Sequence, residues 1–485
     1  MKRLQTIFSA ILAIGALSSA AAQDVGTLSV IRDYYPQDQA TDVVFVAEGY
    51  TIVEMNKFFQ DAESFTRSFL DDPAVAAYAN HFNFHALFVA SNESGADADN
   101  IQNDADCKNG TARTVRDTRW NVTYCYNNIK RLIYTSWTAD VQRFARTYVP
   151  GADVFILIVN SDNYGGGGGA IAVVNRTNAS SAIHETGHSF VGLADEYETA
   201  YDGYNTKISI NTTSNDTRET VHWNYWIEPD TPVPTPETSQ YADAIGVFEG
   251  AGYRPTGWYR PKQDCKMKTL NAKFCSVCAE AWVLRLYKNG SPLLGAVPAS
   301  GSDLFVQGPN SAELAVSLKT PSDGSRTVRV QWEVDGTVMP GLRDSAVSLR
   351  LPDGEHVVRA LVRDTTELVR RDTLGYLSDT AVWRVVVDDP SGLNRPLDLA
   401  APAGELRIGE LSRSGVRLVL PQAGLHRVEL FSADGRRIGD LGWHDFSAGE
   451  QWLRWPAGGI AAGSVLVRVT RDADLATAEK RAVVR

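Results

Sequence analysis

Ser181-Ala-Ile-His-Glu-Thr-Gly-His-Ser-Phe-Val-Gly-Leu-Ala-Asp-Glu-Tyr197 is the stretch whose reading decides how this chain folds and what it can do. His184, Glu185 and His188 spell H-E-x-x-H. Residues four apart on a helix share one face, one turn above the other, so two imidazoles there can hold one metal ion. Glu185, next to the first of them, is placed to act as general base on a water molecule. Gly192 can end or bend the helix past the second histidine. Asp195 and Glu196 then bring a carboxylate back within reach. The spacing favours Asp195 as third ligand, with Glu196 as the alternative. Two imidazoles and a carboxylate, with a fourth position open, suit Zn2+. The bland alternative, a surface helix with two solvated histidines, leaves the glycine and the acids after it without a role.

The chain leading to this stretch alternates apolar strands with helices. Thr41–Ala47 is rich in β-branched residues and reads as a buried strand. Val53–Leu70 carries Met55, Phe58, Phe59, Ala62, Phe65 and Phe69 at helical spacing. Phe82–Val89 and Asp153–Val159 are further buried strands, with a helix at Thr138–Tyr148 between them. The polar segment Asp97–Asn109 is a loop and a weak candidate for Ca2+, without EF-hand spacing. Gly165–Gly169 lacks the Lys-Ser/Thr and the helix of a phosphate loop. Ala170–Val174 reads instead as an edge strand, and Gly168, Gly169 and Ala170 are the candidate substrate-binding residues. Glycine lets a peptide backbone approach closely, and an added β-strand is a common mode of peptide capture.

Composition sets the frame. A chain of 485 residues is too long for one core. A net charge of −11 argues against nucleic acid as a partner. Lys2 and Arg3 precede an apolar run from Ile7 to Leu17, and small residues at 18–22 offer a cleavage site. That pattern is a secretory signal over residues 1–22, too short to be a membrane anchor, and no other stretch could span a bilayer. The mature chain is therefore expected to be secreted or held at the cell surface. Five cysteines suit an oxidising location. Cys107 and Cys125 bracket a polar loop and can pair. Cys275-x-x-Cys278 is half a zinc knuckle without its second pair, so a disulfide from Cys265 to Cys275 or Cys278 is the preferred reading.

Several motifs now stand together in order: His184–Tyr197, Trp226-Ile-Glu-Pro229 with Thr231-Pro-Val-Pro-Thr-Pro236, Phe248-Glu-Gly-Ala-Gly-Tyr253, Tyr259-Arg-Pro261, Cys265-Lys-Met267 and Phe274-Cys-Ser-Val-Cys278. From about Asp42 to Trp282 the chain resembles the bacterial IgA-peptidase family of zinc metallopeptidases. The resemblance implies an α/β metzincin-like zincin catalytic domain, with His184 and His188 as ligands, Glu185 as catalytic base and Met267 in a methionine turn beneath the metal. The chain departs from the general metzincin pattern. Its glycine comes one residue late, no third histidine follows, and Thr269 stands where some groups carry a tyrosine. The simplest zincin spacing falls on Ala194, so Asp195 needs a one-residue offset and Glu196 two. Tyr259 and Arg260 are read as packing residues ahead of any oxyanion role.

After Asp303 alternating strands and Asp-Gly turns appear, such as Arg329–Val334 and His356–Val362, the pattern of an immunoglobulin-like β-sandwich. Asp388–Pro396 reads as a linker. Segments at Val416–Leu420, His426–Phe431 and Gly463–Val469 resemble the C-terminal sorting modules of type IX-secreted bacterial proteins. The expected organisation is a signal at 1–22, a catalytic domain at 23–292, and two all-β immunoglobulin-like modules at 293–390 and 391–485, the last a secretion module that could attach the chain to the cell surface through its export machinery. The expected function is a secreted zinc endopeptidase acting on protein or peptide substrates. The rivals are an adhesin built on an inactive peptidase scaffold and a zinc amidase that cuts peptidoglycan.

Overall fold

The computed structural model describes residues 25–201, 204–307 and 311–388, and further on 407–411, 415–420, 423–432, 437–446, 449–454, 463–471 and 477–484. The expected signal and all but Asp388 of the expected linker lie outside the described residues. Two compact units divide the chain, Met1–Pro390 and Ser391–Arg485.

The first unit is built on a six-stranded sheet. Its strands are β1 (Thr27–Arg32), β2 (Thr41–Glu48), β3 (Phe82–Phe88), β4 (Ala152–Val159), β5 (Gly166–Gly167) and β6 (Ala172–Asn175), in the order β1-β3-β2-β4-β6-β5. β2, β3, β4 and β6 run parallel, and β1 and β5 are antiparallel to their neighbours. Inner strands covered on both faces read as continuous apolar runs, and every residue of β2 and β3 is buried. The helices are α1 (Met55–Phe69), α2 (Pro73–Ala76), α3 (Asp104–Lys108), α4 (Thr138–Tyr148), α5 (Ala179–Thr186) and α6 (Ser276–Asn289). Alternate strand residues face opposite layers. Val43, Phe45, Phe84 and Ile156 join Phe58, Phe65, Phe69 and Trp282 in one core. Val44, Val46, Leu87 and Leu157 join Val141, Ala145 and Trp120 in the other.

Beyond this sheet a hairpin of β7 (Phe248–Ala251) and β8 (Arg254–Arg260) precedes α6. β9 (Leu293–Val297), β10 (Asp303–Gln307), β11 (Ala312–Leu318), β12 (Val328–Val334), β13 (Thr337–Val338), β14 (Ala346–Leu349), β15 (Gly354–Asp364) and β16 (Ser378–Asp388) form sheets of five and three strands around one core with Trp332 and Trp383. This layer is tied to the first sheet's helices. Tyr78 and Tyr287 both donate to Asp364 Oδ2 at 2.8 Å, and the amides of Arg370 and Arg371 donate to Glu280 Oε1 at 2.7 and 2.8 Å. The second unit holds β17 (Arg407–Leu411), β18 (Gly415–Leu420), β19 (Gly424–Ser432), β20 (Arg437–Phe446), β21 (Gly449–Arg454), β22 (Gly463–Arg471) and β23 (Thr477–Val484), in sheets of three and four strands.

The expected α/β metzincin-like domain followed by two immunoglobulin-like sandwiches is corrected. Among the described residues strand outweighs helix, and the strands are spread over several sheets, so the chain is mostly β. The physical reason lies in element length. α2 and α3 have four and five residues, α5 has eight, and among the described residues from Gly192 to Val247 there are only single 3-10 turns and isolated bridges between loops. The edge strand is also relocated: β5 lies at the edge and Ala172–Asn175 one strand in. Glycines have no side chain from which a strand could be read.

Candidate functional site

α5 is a short helix whose last turn carries His184 and Glu185. It runs on as a π-helical turn, Gly187–Val191, that carries His188 and stops at Gly192, whose φ of 86° is left-handed. Glycine meets that φ without strain. The two imidazoles stand perpendicular with centroids 4.8 Å apart. His184 Nδ1 meets the Lys266 carbonyl at 2.9 Å and His188 Nδ1 the Leu193 carbonyl at 2.8 Å. With each Nδ1–H given to a carbonyl, each Nε2 is turned inward with its lone pair available. The two Nε2 atoms are 3.2 Å apart.

Asp195 closes the triangle. Its Oδ1 lies 3.2 Å from His184 Nε2 and 3.3 Å from His188 Nε2. Tyr253 donates to its Oδ2 at 3.2 Å. The backbone around it is pinned: Asn211 bonds both the N–H and the C=O of Ala194 at 2.8 Å, the Glu196 N–H donates to the Met267 carbonyl at 2.9 Å, and the Gly252 N–H donates to the Asp195 carbonyl at 3.0 Å. Glu196 faces the other way. It is fully buried, and its Oε1 takes a hydrogen bond from Asn211 and lies 3.7 Å from Cys278 Sγ. Met267 is buried under the π-helical turn, where a side chain on Gly187 would stand 3.2 Å from its Sδ.

The donor set fits a divalent cation. His184, His188 and Asp195 offer three atoms that lie within 4.8 Å of one another. Asp195 Oδ1 is buried and makes no well-formed hydrogen bond of its own. With a proton in place of a metal, the electrostatics show how strongly the centre favours positive charge. Burial alone would lower His188, yet the charge and hydrogen bond of Asp195, with Glu185, carry it up to about 9. Burial alone would raise Asp195, but the two histidines hold it well below the usual carboxylate range. Burial raises Glu185 above its usual value, against the lowering pull of His184 and His188. A carboxylate so raised is a better proton acceptor.

The glycine run passes over this centre. A Cβ on Gly166 would stand 2.9 Å from Glu185 Oε1, and one on Gly168 would stand 2.9 Å from Glu185 Oε2 and 3.0 Å from His188 Cβ. Gly168 borders it, and Gly168, Gly169 and Ala170 are all exposed. Gly166 is already bonded on its outer side, donating to the Arg131 carbonyl and accepting from the Ile133 amide. Burial raises Tyr197 and Tyr253, and the Asp195 charge raises both further. Arg260 is buried among Glu198, Glu237 and the Gly250 carbonyl, and Tyr259 pairs with Thr213 through the backbone.

Cys107 and Cys125 form a disulfide. The pairing expected of Cys265 with Cys275 or Cys278 is not made. All three are buried thiols, because the chain draws their sulfurs together with Glu196 instead of setting two in bonding contact. The acids expected to offer Ca2+ a site serve protein donors: Asp97 accepts from the Arg116 amide, Asp99 from Thr114 and Asp104 from the Lys130 amide. Among the described residues, neither group of metal-ligating side chains draws on that loop. Sequence reasoning missed Tyr253, which bonds Asp195, and Asn211, which bonds its neighbours Ala194 and Glu196. Tyr253 lay inside a motif without a stated role, and Asn211 sits in a turn-rich segment with no pattern.

A family model described as IgA Peptidase M64 matches residues 30–241 and 237–285, more than half of the chain. No curated protein matches. Among solved structures, the fibronectin(III)-like modules of CbhA from Clostridium thermocellum are 15% identical, over 20% of this chain and 92% of that one, with a TM-score of 0.13. A glucan-utilization protein, SGBP-B of Bacteroides ovatus, is 14% identical over 38% and 42%, with a TM-score of 0.15. The E. coli chaperone DraB is 17% identical over 38% and 96%, also at 0.15. Scores this low assign no fold.

Proposed function

From the premise that the chain belongs to the IgA peptidase M64 family and is a peptidase acting on protein, we propose that it is a zinc-dependent endopeptidase. One observation carries this reading: His184 Nε2, His188 Nε2 and Asp195 Oδ1 converge on one point with Glu185 beside them. Those three residues would hold the ion. Bound there, Zn2+ would supply Lewis acidity, polarising a carbonyl and easing the loss of a proton from water.

The chain's own groups do the rest. Glu185 takes the proton from the attacking water and passes it to the leaving amine. The Lys266 and Leu193 carbonyls fix the histidine rings, and Tyr253 fixes Asp195, so the centre needs little rearrangement before reaction. Because Gly166 is bonded to the 131–133 segment, an extended substrate would lie along Gly168–Ala170. The apolar leader supports export of the mature chain.

Dialysis against a chelator, followed by zinc titration with casein as substrate, tests the proposal. Hydrolysis should vanish with the metal and return with about one equivalent of zinc at this centre. Unchanged hydrolysis by the metal-free chain would refute it.

A further inference from the structure

Cys265, Cys275, Cys278 and Glu196 form a second cluster of donor atoms, fully enclosed and separate from the histidine centre. Cys265, Cys278 and Glu196 have no exposure and Cys275 has 4%. One ligand atom from each lies within 4.8 Å of the others. The Sγ atoms of Cys265 and Cys278 are 3.7 Å apart, and Cys278 Sγ is 3.7 Å from Glu196 Oε1. Sulfurs bound to tetrahedral zinc at ~2.3 Å stand roughly 3.8 Å apart, so these separations are those of ligands around an ion.

Three further observations point to a cation. Glu196 Oε2 is buried and has no hydrogen-bond partner, a costly state for a carboxylate oxygen unless a positive group meets it. The Cys275 amide donates to Cys265 Sγ at 3.3 Å, a contact that stabilises a thiolate. Cys275 is the N-cap of α6 and Cys278 lies in its first turn, where the helix dipole also favours thiolates. A disulfide would use two of the three sulfurs and leave Glu196 unanswered. The chain does form a disulfide elsewhere, between Cys107 and Cys125, while these three stay thiols at close range.

We propose that Glu196, Cys265, Cys275 and Cys278 bind a second, structural zinc ion. Four protein ligands close the coordination sphere, as in structural sites generally. Cys275-x-x-Cys278 supplies one half of the site. The other half comes from Cys265, ten residues earlier, and Glu196, which is 82 residues before Cys278. The ion would join three parts of the histidine centre's floor: the loop carrying Asp195, the turn carrying Met267, and the start of α6.

Metal analysis of the purified full chain tests this. The wild type should hold about two zinc ions, and a His184→Ala/His188→Ala variant about one. Cobalt(II) loaded into that variant should show thiolate-to-metal charge-transfer absorption, and Cys275→Ser/Cys278→Ser should abolish it. Should the cysteine variant not fold, the histidine variant still decides the matter. If it binds no zinc and its cobalt form lacks the thiolate band, the proposal is overturned. A failure of the peptidase mechanism would leave the readouts of the His184→Ala/His188→Ala variant unchanged, so the two ideas fail separately.

Discussion

Asp195 and Glu196 are neighbours with opposite assignments, and the difference is backbone geometry. Gly192 turns the chain, Asn211 clamps Ala194 and Met267 holds the Glu196 amide, so one carboxylate meets the histidines and the next meets the cysteines. Asp195→Ala should weaken zinc binding at the histidine centre by at least ~10-fold, measured by competition with a chromophoric chelator in the Cys275→Ser/Cys278→Ser background; undiminished affinity would remove Asp195 from the ligand set. Glu48 supplies a second residue-scale test. Burial raises its carboxyl from 4.5 to about 7, against the lowering effect of donors at Thr118, Val122 and Trp120. Between those pH values the folded chain keeps a proton that the unfolded chain has released. Unfolding free energy should therefore fall as pH rises through this window, by up to ~3 kcal/mol, and level off above it. Glu48→Gln should flatten that slope in denaturant titrations, and a slope equal to the wild type's would show that Glu48 is not its source. Of the site, His184, Glu185 and His188 were legible because helix periodicity brings them together locally. Tyr253 reaches Asp195 across 58 residues and Asn211 reaches Ala194 across 17, and no local periodicity encodes such contacts.

At the scale of elements, the glycine run explains itself only in three dimensions. In sequence it looked like a loop before an edge strand. In the structure Gly166 and Gly167 are the edge strand, and bare backbone is required there because Glu185 lies beneath Gly166 and Gly168. Gly168→Ala would set a methyl 2.9 Å from Glu185 Oε2. Because position 168 is exposed, the fold should survive with a melting temperature near the wild type's. The kcat/KM should drop by about 10-fold or more, given how steeply rate depends on the placement of a catalytic group. Unaltered kcat/KM would mean the run does not border the reacting centre. The strands β2, β3 and β4 were legible from their apolar runs. The short α5 and its π-helical continuation were not, since nothing in H-E-x-x-H sets the length of the helix that bears it.

For the whole molecule, the balance of strand over helix was the feature least visible in advance. Individual strands could be read, but the share of chain given to short hairpins and loops depends on tertiary packing. The first unit runs to Pro390, and the bonds from Asp364, Arg370 and Arg371 to Tyr78, Tyr287 and Glu280 show why. A chain ending at Pro390 should fold and hydrolyse casein at the wild-type rate. One ending at Pro292 should melt several degrees lower, because Glu280 is buried and loses two of its donors. Equal melting temperatures for the two would show those bonds to be dispensable. The proposed sorting role of residues 391–485 rests on sequence alone. It predicts that the Pro390 truncation is exported poorly, and normal export would count against it.

The most direct test of the central claim is the turnover of Glu185→Gln at matched zinc content. The amide keeps the size of the side chain and leaves the metal ligands in place, but it cannot accept the proton. Hydrolysis should fall by at least ~100-fold with zinc retained. Near-wild-type turnover in a fully loaded preparation would contradict Glu185 as the general base.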